Sequence, residues 1–168
     1  MHHGPLAYFI TWSCYGTWLP GDRRGWKKWH KGERLPEPKL ATWVRKRMTE
    51  TPVNLDCSQR HAVREAIAEC CRRRDWKLHA ANCRSNHCHV VVTAGSYDGE
   101  SARDQLKSWS TRCLRKIELE SGLKVSELRR QWWSSKGSVR HVDNLESLEA
   151  AIVYTNDAQD AGGSQQNT

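Results

Sequence analysis

The stretch Trp76-Lys-Leu-His-Ala-Ala-Asn-Cys83, then Arg84-Ser-Asn86, then His87-Cys-His-Val-Val-Val-Thr-Ala94 decides the fold. Two runs rich in apolar and β-branched residues flank a short polar segment that suits a turn, so residues 76–94 predict a β-hairpin. Strand side chains alternate between faces. His87 and His89 therefore share one face, and Cys88, Val90 and Val92 share the other.

Outward from this hairpin the periodicity changes. Upstream, Ser58 is a candidate N-cap, and Ala62, Val63, Ala66, Ile67, Cys70 and Cys71 recur at helical spacing as far as Arg74. Downstream, Gly95–Gly99 reads as a loop. Residues 101–121 read as a long basic helix with Leu106, Trp109, Cys113, Leu114 and Ile117 on its stripe. Ala7–Gly16, aromatic and β-branched, predicts a first strand. Residues 19–40, rich in Gly, Pro, Lys, Arg and Trp, predict a long basic loop, with one short helix around Lys39–Met48. Trp132-Trp133 and Val139–Val142 predict a final strand pair, and Leu145–Gln159 a last helix with Leu145, Leu148 and Ile152 on one stripe. The order β-(loop)-α-β-β-α-β-α implies an α+β fold: a ferredoxin-like, RRM-like antiparallel sheet of four or five strands with helices packed on it. Residues 1–160 are expected to form one domain, and the polar stretch 161–168 a disordered tail.

The chain has 168 residues, with 27 Lys and Arg against 19 Asp and Glu, a formal charge of +8. That charge is uneven. Residues 1–74 carry 15 basic and 7 acidic side chains, and residues 103–140 carry 10 and 4. Residues 75–102 are nearly neutral, and residues 141–168 carry 5 acids and no Lys or Arg. Two basic blocks point to a polyanion partner, nucleic acid above all, against the plainer reading of solvated helix faces. No run of apolar residues is long enough to span a membrane, and the N-terminus lacks the apolar segment of a secretion signal, so a soluble cytoplasmic protein is expected. Seven cysteines without such a signal predict reduced thiols. Nine Trp against one Phe supply flat faces on which bases stack.

Two features carry chemistry. Imidazoles two residues apart on one strand face are placed to share a metal. The alternatives are two unrelated histidines on a half-exposed face, or a structural zinc site that adds Cys83 in a Cys-x3-His-x-His spacing. On the last helix Tyr154 lies about 180° from Leu145 at 100° per residue, beside the small residues Ser147, Ala150, Ala151 and Ala158. A Tyr held off the apolar stripe is either an ordinary packed side chain or an available hydroxyl. Taken together, a His pair, a Tyr and flanking basic blocks form a candidate strand-cleaving site: the hydroxyl attacks a DNA phosphorus, and a metal on the His pair polarises the phosphoryl oxygens.

The segment Ser85-Asn-His-Cys-His-Val-Val-Val92 resembles the HUH motif, two His flanking a bulky apolar residue. With the opening Tyr8–Trp26, the stretch Gly137-Ser-Val-Arg140 and Leu148-Glu-Ala-Ala-Ile-Val-Tyr154, the chain is similar to the single-tyrosine HUH transposases, the REP-associated tyrosine transposases among them, over roughly residues 7–160. The resemblance implies an HUH-endonuclease fold. It also implies Tyr154 as nucleophile forming a 5′-phosphotyrosine, His87 and His89 as ligands of a divalent metal (Mg2+ or Mn2+), and hairpin-bearing single-stranded DNA as substrate. A third ligand, Gln or Asn, is implied four residues after the tyrosine. That position is Ala158, which leaves Gln159 as the candidate and Asp157 as the second choice. Trp18, Arg23, Arg24, Trp26, Lys27 and Lys28 of the loop, Arg112 and Arg115 of the long helix, and Arg140 are the candidate DNA contacts. The expected assembly is a monomer or a homodimer. The alternative is a non-catalytic RRM-like hairpin-binding protein or an inactive transposase descendant.

Overall fold

The computed structural model describes residues 4–28 and 31–157. Strands β1 (Ala7–Ser13), β4 (Lys77–Cys83), β5 (His87–Thr93) and β6 (Ser138–Val142) form an antiparallel sheet in the order β4-β5-β1-β6. Strands β2 (Trp26–Lys28) and β3 (Gly32–Arg34) pair separately. The helices are α1 (Pro38–Lys46), α2 (Cys57–Arg73), α3 (Gly99–Glu120) and α4 (Leu145–Asp157). The β1-α2-β4-β5-α3-β6 path with its first strand inside the sheet is the ferredoxin-like plan, to which α4 is added.

Alternation along the strands divides the molecule. Tyr8, Ile10 and Trp12 of β1, with Cys88, Val90 and Val92 of β5, face the main core, where they meet Val63, Ile67 and Cys70 of α2 and Leu106 and Leu114 of α3. The intervening residues Ala7, Phe9, Val91 and Val142 face the other way, against Leu148, Ala151 and Ile152 of α4. Each fully buried Ile, Leu or Val contributes about 1.5–3 kcal/mol relative to exposure, so the double-helix face carries most of the stability. The α4 face has a smaller core and leaves part of the sheet open.

One irregularity sets the face of β4. The register jumps between Leu78 and Ala80, a bulge at His79. Leu78 packs in the main core, but Ala80 packs under α4. An unbroken period of two would place both on one face; the extra residue reverses the parity and brings Asn82 to the α4 side.

The helix starts have specific caps. The α2 helix is capped by Asp56 rather than Ser58: the Asp56 carboxylate accepts from the Gln59 N–H at 2.8 Å, and the Gln59 side chain accepts from the Asp56 N–H at 3.0 Å. Asp98 accepts from the Ser101 N–H at 2.9 Å at the head of α3, and Asn144 from the Ser147 N–H at 2.8 Å at the head of α4.

Three expectations need correction. Trp132-Trp133 and Val139–Val142 do not pair with each other. β6 pairs with β1, and Trp133 forms an isolated bridge to Cys14, so both segments line the same edge of the first strand and its extension. Residues 19–40 are not one unstructured loop, because β2 and β3 form a small hairpin within them. The segment leading into that hairpin approaches the head of α1 closely: a Cβ on Gly21 (φ +86) would lie 2.4 Å from the Glu37 carbonyl oxygen. Finally, Leu145 is 71% exposed, and the buried stripe of α4 is Leu148, Ala151 and Thr155 with Ile152 beside it. Gln159 and the 161–168 tail lie outside the described residues. Among the described residues no helix is long and apolar enough to cross a membrane, and all seven cysteines are free.

Candidate active site

The α4 stripe centres between Leu148 and Thr155, which puts Tyr154 about 100° to its side rather than opposite it. From that flank the tyrosine, 56% exposed, leans over the open part of the sheet. Its ring centroid lies 5.5 Å from that of His89 and 5.9 Å from that of Phe9, edge-on to both. His89 and Phe9 stack at 5.7 Å with planes 7° apart, and His87 lies 4.6 Å from His89. The predicted His pair and the predicted tyrosine thus converge on one face. The other tyrosines do not join them. Tyr8 lies in the core on the opposite face, the Tyr15 hydroxyl accepts from the Thr49 N–H, and Tyr97 packs against Trp76.

The neighbours of the pair are fixed by strand register. Thr11 of β1 and Asn82 of β4 both stand opposite His89. The Thr11 hydroxyl is 2.9 Å from His89 Nδ1, and Asn86 Oδ1 is 2.5 Å from His87 Nδ1. Asn82 reaches up instead of across: its Nδ2 donates to the Thr155 carbonyl at 2.9 Å and ties the end of α4 to the sheet. Burial, with the charges of His87 and Arg84 nearby, pushes His89 down to about 4, so its imidazole is neutral at neutral pH.

This donor set fits part of a divalent metal shell. Imidazoles anchored through Nδ1, as both are here, leave Nε2 to offer to a metal, the arrangement that metal-binding histidines generally have. Among the described residues no third His, Cys, Asp or Glu completes a metal-holding group. Asp157, on the last turn of α4, is exposed and joins no such group. The zinc alternative through Cys83 is removed by geometry. Cys83 and Cys88 point into the main core, with their Sγ atoms 3.3 Å apart, on the face opposite the histidines.

The predicted DNA contacts fall into three places. Arg140, on β6 opposite Phe9, lies on the histidine face with its guanidinium 5.0 Å from the Phe9 ring centre. Arg112 and Arg115 lie on α3 behind the sheet, in a groove of about 560 Å³ that Lys107, Arg130, Trp132 and Trp133 also line. The third group is the 18–28 segment. Arg23, Lys27 and Lys28 are exposed there, and the Trp26 indole donates to the Leu35 carbonyl at 3.1 Å. Arg24 is committed to the segment itself: it pairs with Asp22 at 2.7 Å, donates to the Thr17 carbonyl and covers the Trp18 ring at 4.4 Å. Asn82, Thr11, Phe9 and Arg84 were not among the sequence candidates. For Asn82, Thr11 and Phe9 the signal is register, which in β4 the bulge hides, and Arg84 lies in the β4–β5 turn.

The fold and site together are an antiparallel ferredoxin-like sheet that presents paired histidines under a helix-borne tyrosine. Residues 42–156 match the family described as Transposase IS200 like, and the chain belongs to that family. Among solved structures the chain is similar to the REP-associated tyrosine transposase bound to a REP hairpin, with a TM-score of 0.55 and 15% identity, covering 97% of this chain and 72% of that one. At this identity the likeness is one of fold. No curated protein matches the chain.

Proposed function

We propose that the protein cleaves and rejoins hairpin-bearing single-stranded DNA through a covalent 5′-phosphotyrosine at Tyr154, with His87 and His89 holding a divalent metal. The observation that carries this reading is the seating of the Tyr154 ring 5.5 Å from His89 on the open face of the sheet. Membership of the IS200-like transposases and the hairpin bound by the REP-associated neighbour support it. Bound between the imidazoles, Mg2+ or Mn2+ would polarise the phosphoryl oxygens.

The chain supplies the rest. Tyr154 Oη forms a bond to phosphorus as the P–O3′ bond breaks. The phenolic proton is lost and the departing 3′ oxygen takes up a proton, so the step is balanced without an external redox partner. The phosphodiester is conserved as phosphotyrosine, and the reverse attack by a 3′ hydroxyl rejoins a strand. Asn82 holds the end of α4, and so the tyrosine, against the sheet. Arg112, Arg115, Lys107 and Arg130 in the rear groove, with Arg23, Lys27, Lys28 and Trp18 of the N-terminal segment, supply phosphate contacts and a stacking surface.

Labelled hairpin DNA incubated with protein and Mn2+ and run on a denaturing gel tests the reading. A protein-linked strand that disappears with EDTA and with Tyr154→Phe is expected. Hairpin binding without any adduct would leave a non-catalytic hairpin binder. If about four to six phosphates are neutralised, log K against log salt should slope roughly −3 to −4, and Arg115→Ala should reduce that slope by about 0.7.

A further inference from the structure

We propose that Arg140 is a catalytic residue whose guanidinium grips the non-bridging oxygens of the phosphate that Tyr154 attacks. This assignment rests on the strand-transfer reading above and gives Arg140 a role beyond general DNA affinity.

The argument starts from register. Arg140 stands opposite Phe9 across the β1–β6 ladder, and its side chain lies over the Phe9 ring at 5.0 Å. Phe9 is also the ring against which His89 stacks and Tyr154 stands edge-on. One phenyl ring thus has the tyrosine, a histidine of the pair and a guanidinium around it, and it steers Arg140 over the same open face. Phe9 is the one phenylalanine of the chain, and it sits at this junction.

Arg140 is also uncommitted. Arg24 pairs with Asp22, Arg103 with Asp104, Arg72 and Arg73 with Glu69, and Arg129 with Glu50. Among the described residues the Arg140 guanidinium has the Phe9 ring beside it and no hydrogen bond or ion pair. A planar donor fork held in place with its charge unanswered suits two phosphate oxygens.

The chemistry needs such a group. A phenol approaching a phosphodiester monoanion meets like charge as its own proton leaves, and negative charge collects on the non-bridging oxygens in the transition state. A fixed guanidinium on those oxygens offsets both. Among the described residues no carboxylate joins the His pair beside Tyr154. Stabilising charge on the phosphate therefore matters more here than a general base would.

The test compares wild type, Arg140→Ala and Arg140→Lys in single-turnover cleavage of hairpin DNA with Mn2+ at saturating protein, on a normal strand and on one with a methylphosphonate at the scissile position. The methylphosphonate replaces one charged oxygen by methyl and removes the charge Arg140 is assigned to meet. On the normal strand Arg140→Ala should be slower by roughly 100-fold, the loss that follows removal of one transition-state donor, with hairpin Kd changed far less and melting unchanged. Arg140→Lys should fall between. On the methylphosphonate the gap between wild type and Arg140→Ala should close to within a few-fold, which no merely structural role would produce. Equal rates on the normal strand, or an equal loss on both strands, would overturn the assignment. If wild type forms no adduct with either strand, the strand-transfer reading fails first and takes this role with it.

Discussion

Replacing Asn82 by Ala should loosen α4 without unfolding the sheet. The Asn82 amide donates to the Thr155 carbonyl at 2.9 Å, and Thr155 is fully buried. Losing the bond removes about 0.5–1.5 kcal/mol, and leaving a buried carbonyl acceptor unsatisfied adds to it, for a total of about 1–2 kcal/mol. The remaining anchors of α4, Leu148, Ala151 and Ile152 against Ala7, Val91 and Val142, stay in place, so the helix remains docked in most molecules. Its opening equilibrium rises by about 5–30-fold, since 1.4 kcal/mol is a factor of ten. Amide hydrogen exchange read by mass spectrometry should show peptides of α4 exchanging faster by that factor. Peptides of β5, inside the sheet, should change only as much as global stability does. Asn82→Asp should be worse than Ala, because a carboxylate would face a carbonyl oxygen with no proton between them. Unchanged exchange in α4 for both variants would refute the idea that Asn82 latches the tyrosine helix.

Other outcomes follow from the same geometry. Tyr154→Phe should abolish the DNA adduct while shifting stability by less than about 0.5 kcal/mol, as measured by urea unfolding, because the lost hydroxyl belongs to an exposed side chain. His89 has its folded-state pKa lowered to about 4 from 6.5, so the unfolded chain binds the extra proton between those values. Stability should therefore be full above pH 6.5 and fall by up to about 3 kcal/mol as pH drops towards 4. His89→Leu should remove that part of the slope in melts run with EDTA. Of the seven thiols only Cys57 is exposed, and burial raises Cys14, Cys71 and Cys88. A thiol reagent should modify one cysteine quickly in the native protein and all seven in denaturant.

Much of this arrangement is legible in the chain before folding. Alternation in His87–Thr93 places both histidines on one face, and the helical period places Tyr154 off an apolar stripe. What the period misjudges is the stripe itself. Leu145 is apolar, yet it lies before the point where α4 meets the sheet, whereas the small Ala151 and the hydroxyl of Thr155 fill the contact. Hydrophobicity ranks residues by affinity for a core, and here close approach of helix to sheet ranks them by size. The pairing of the last strand departs from the expected one for a different reason. Trp132-Trp133 and Val139–Val142 are near each other in sequence, but the edge of β1 offers both of them ladder positions, and non-local pairing leaves no local signal. The bulge at His79 similarly moves Asn82 to the histidine face against its plain parity. The commitment of Arg24 to Asp22 is local, two residues apart, and lies within the reach of turn chemistry.

The separation of the sheet into a stabilising face and a chemical face has a consequence for the fate of damaged copies. Lesions at Tyr154, His87 or Arg140 touch few of the side chains that keep the chain folded, while the grooves and exposed cations behind the sheet remain. On the strand-transfer reading proposed above, such a copy would persist as a rival that occupies the same hairpins without cutting them.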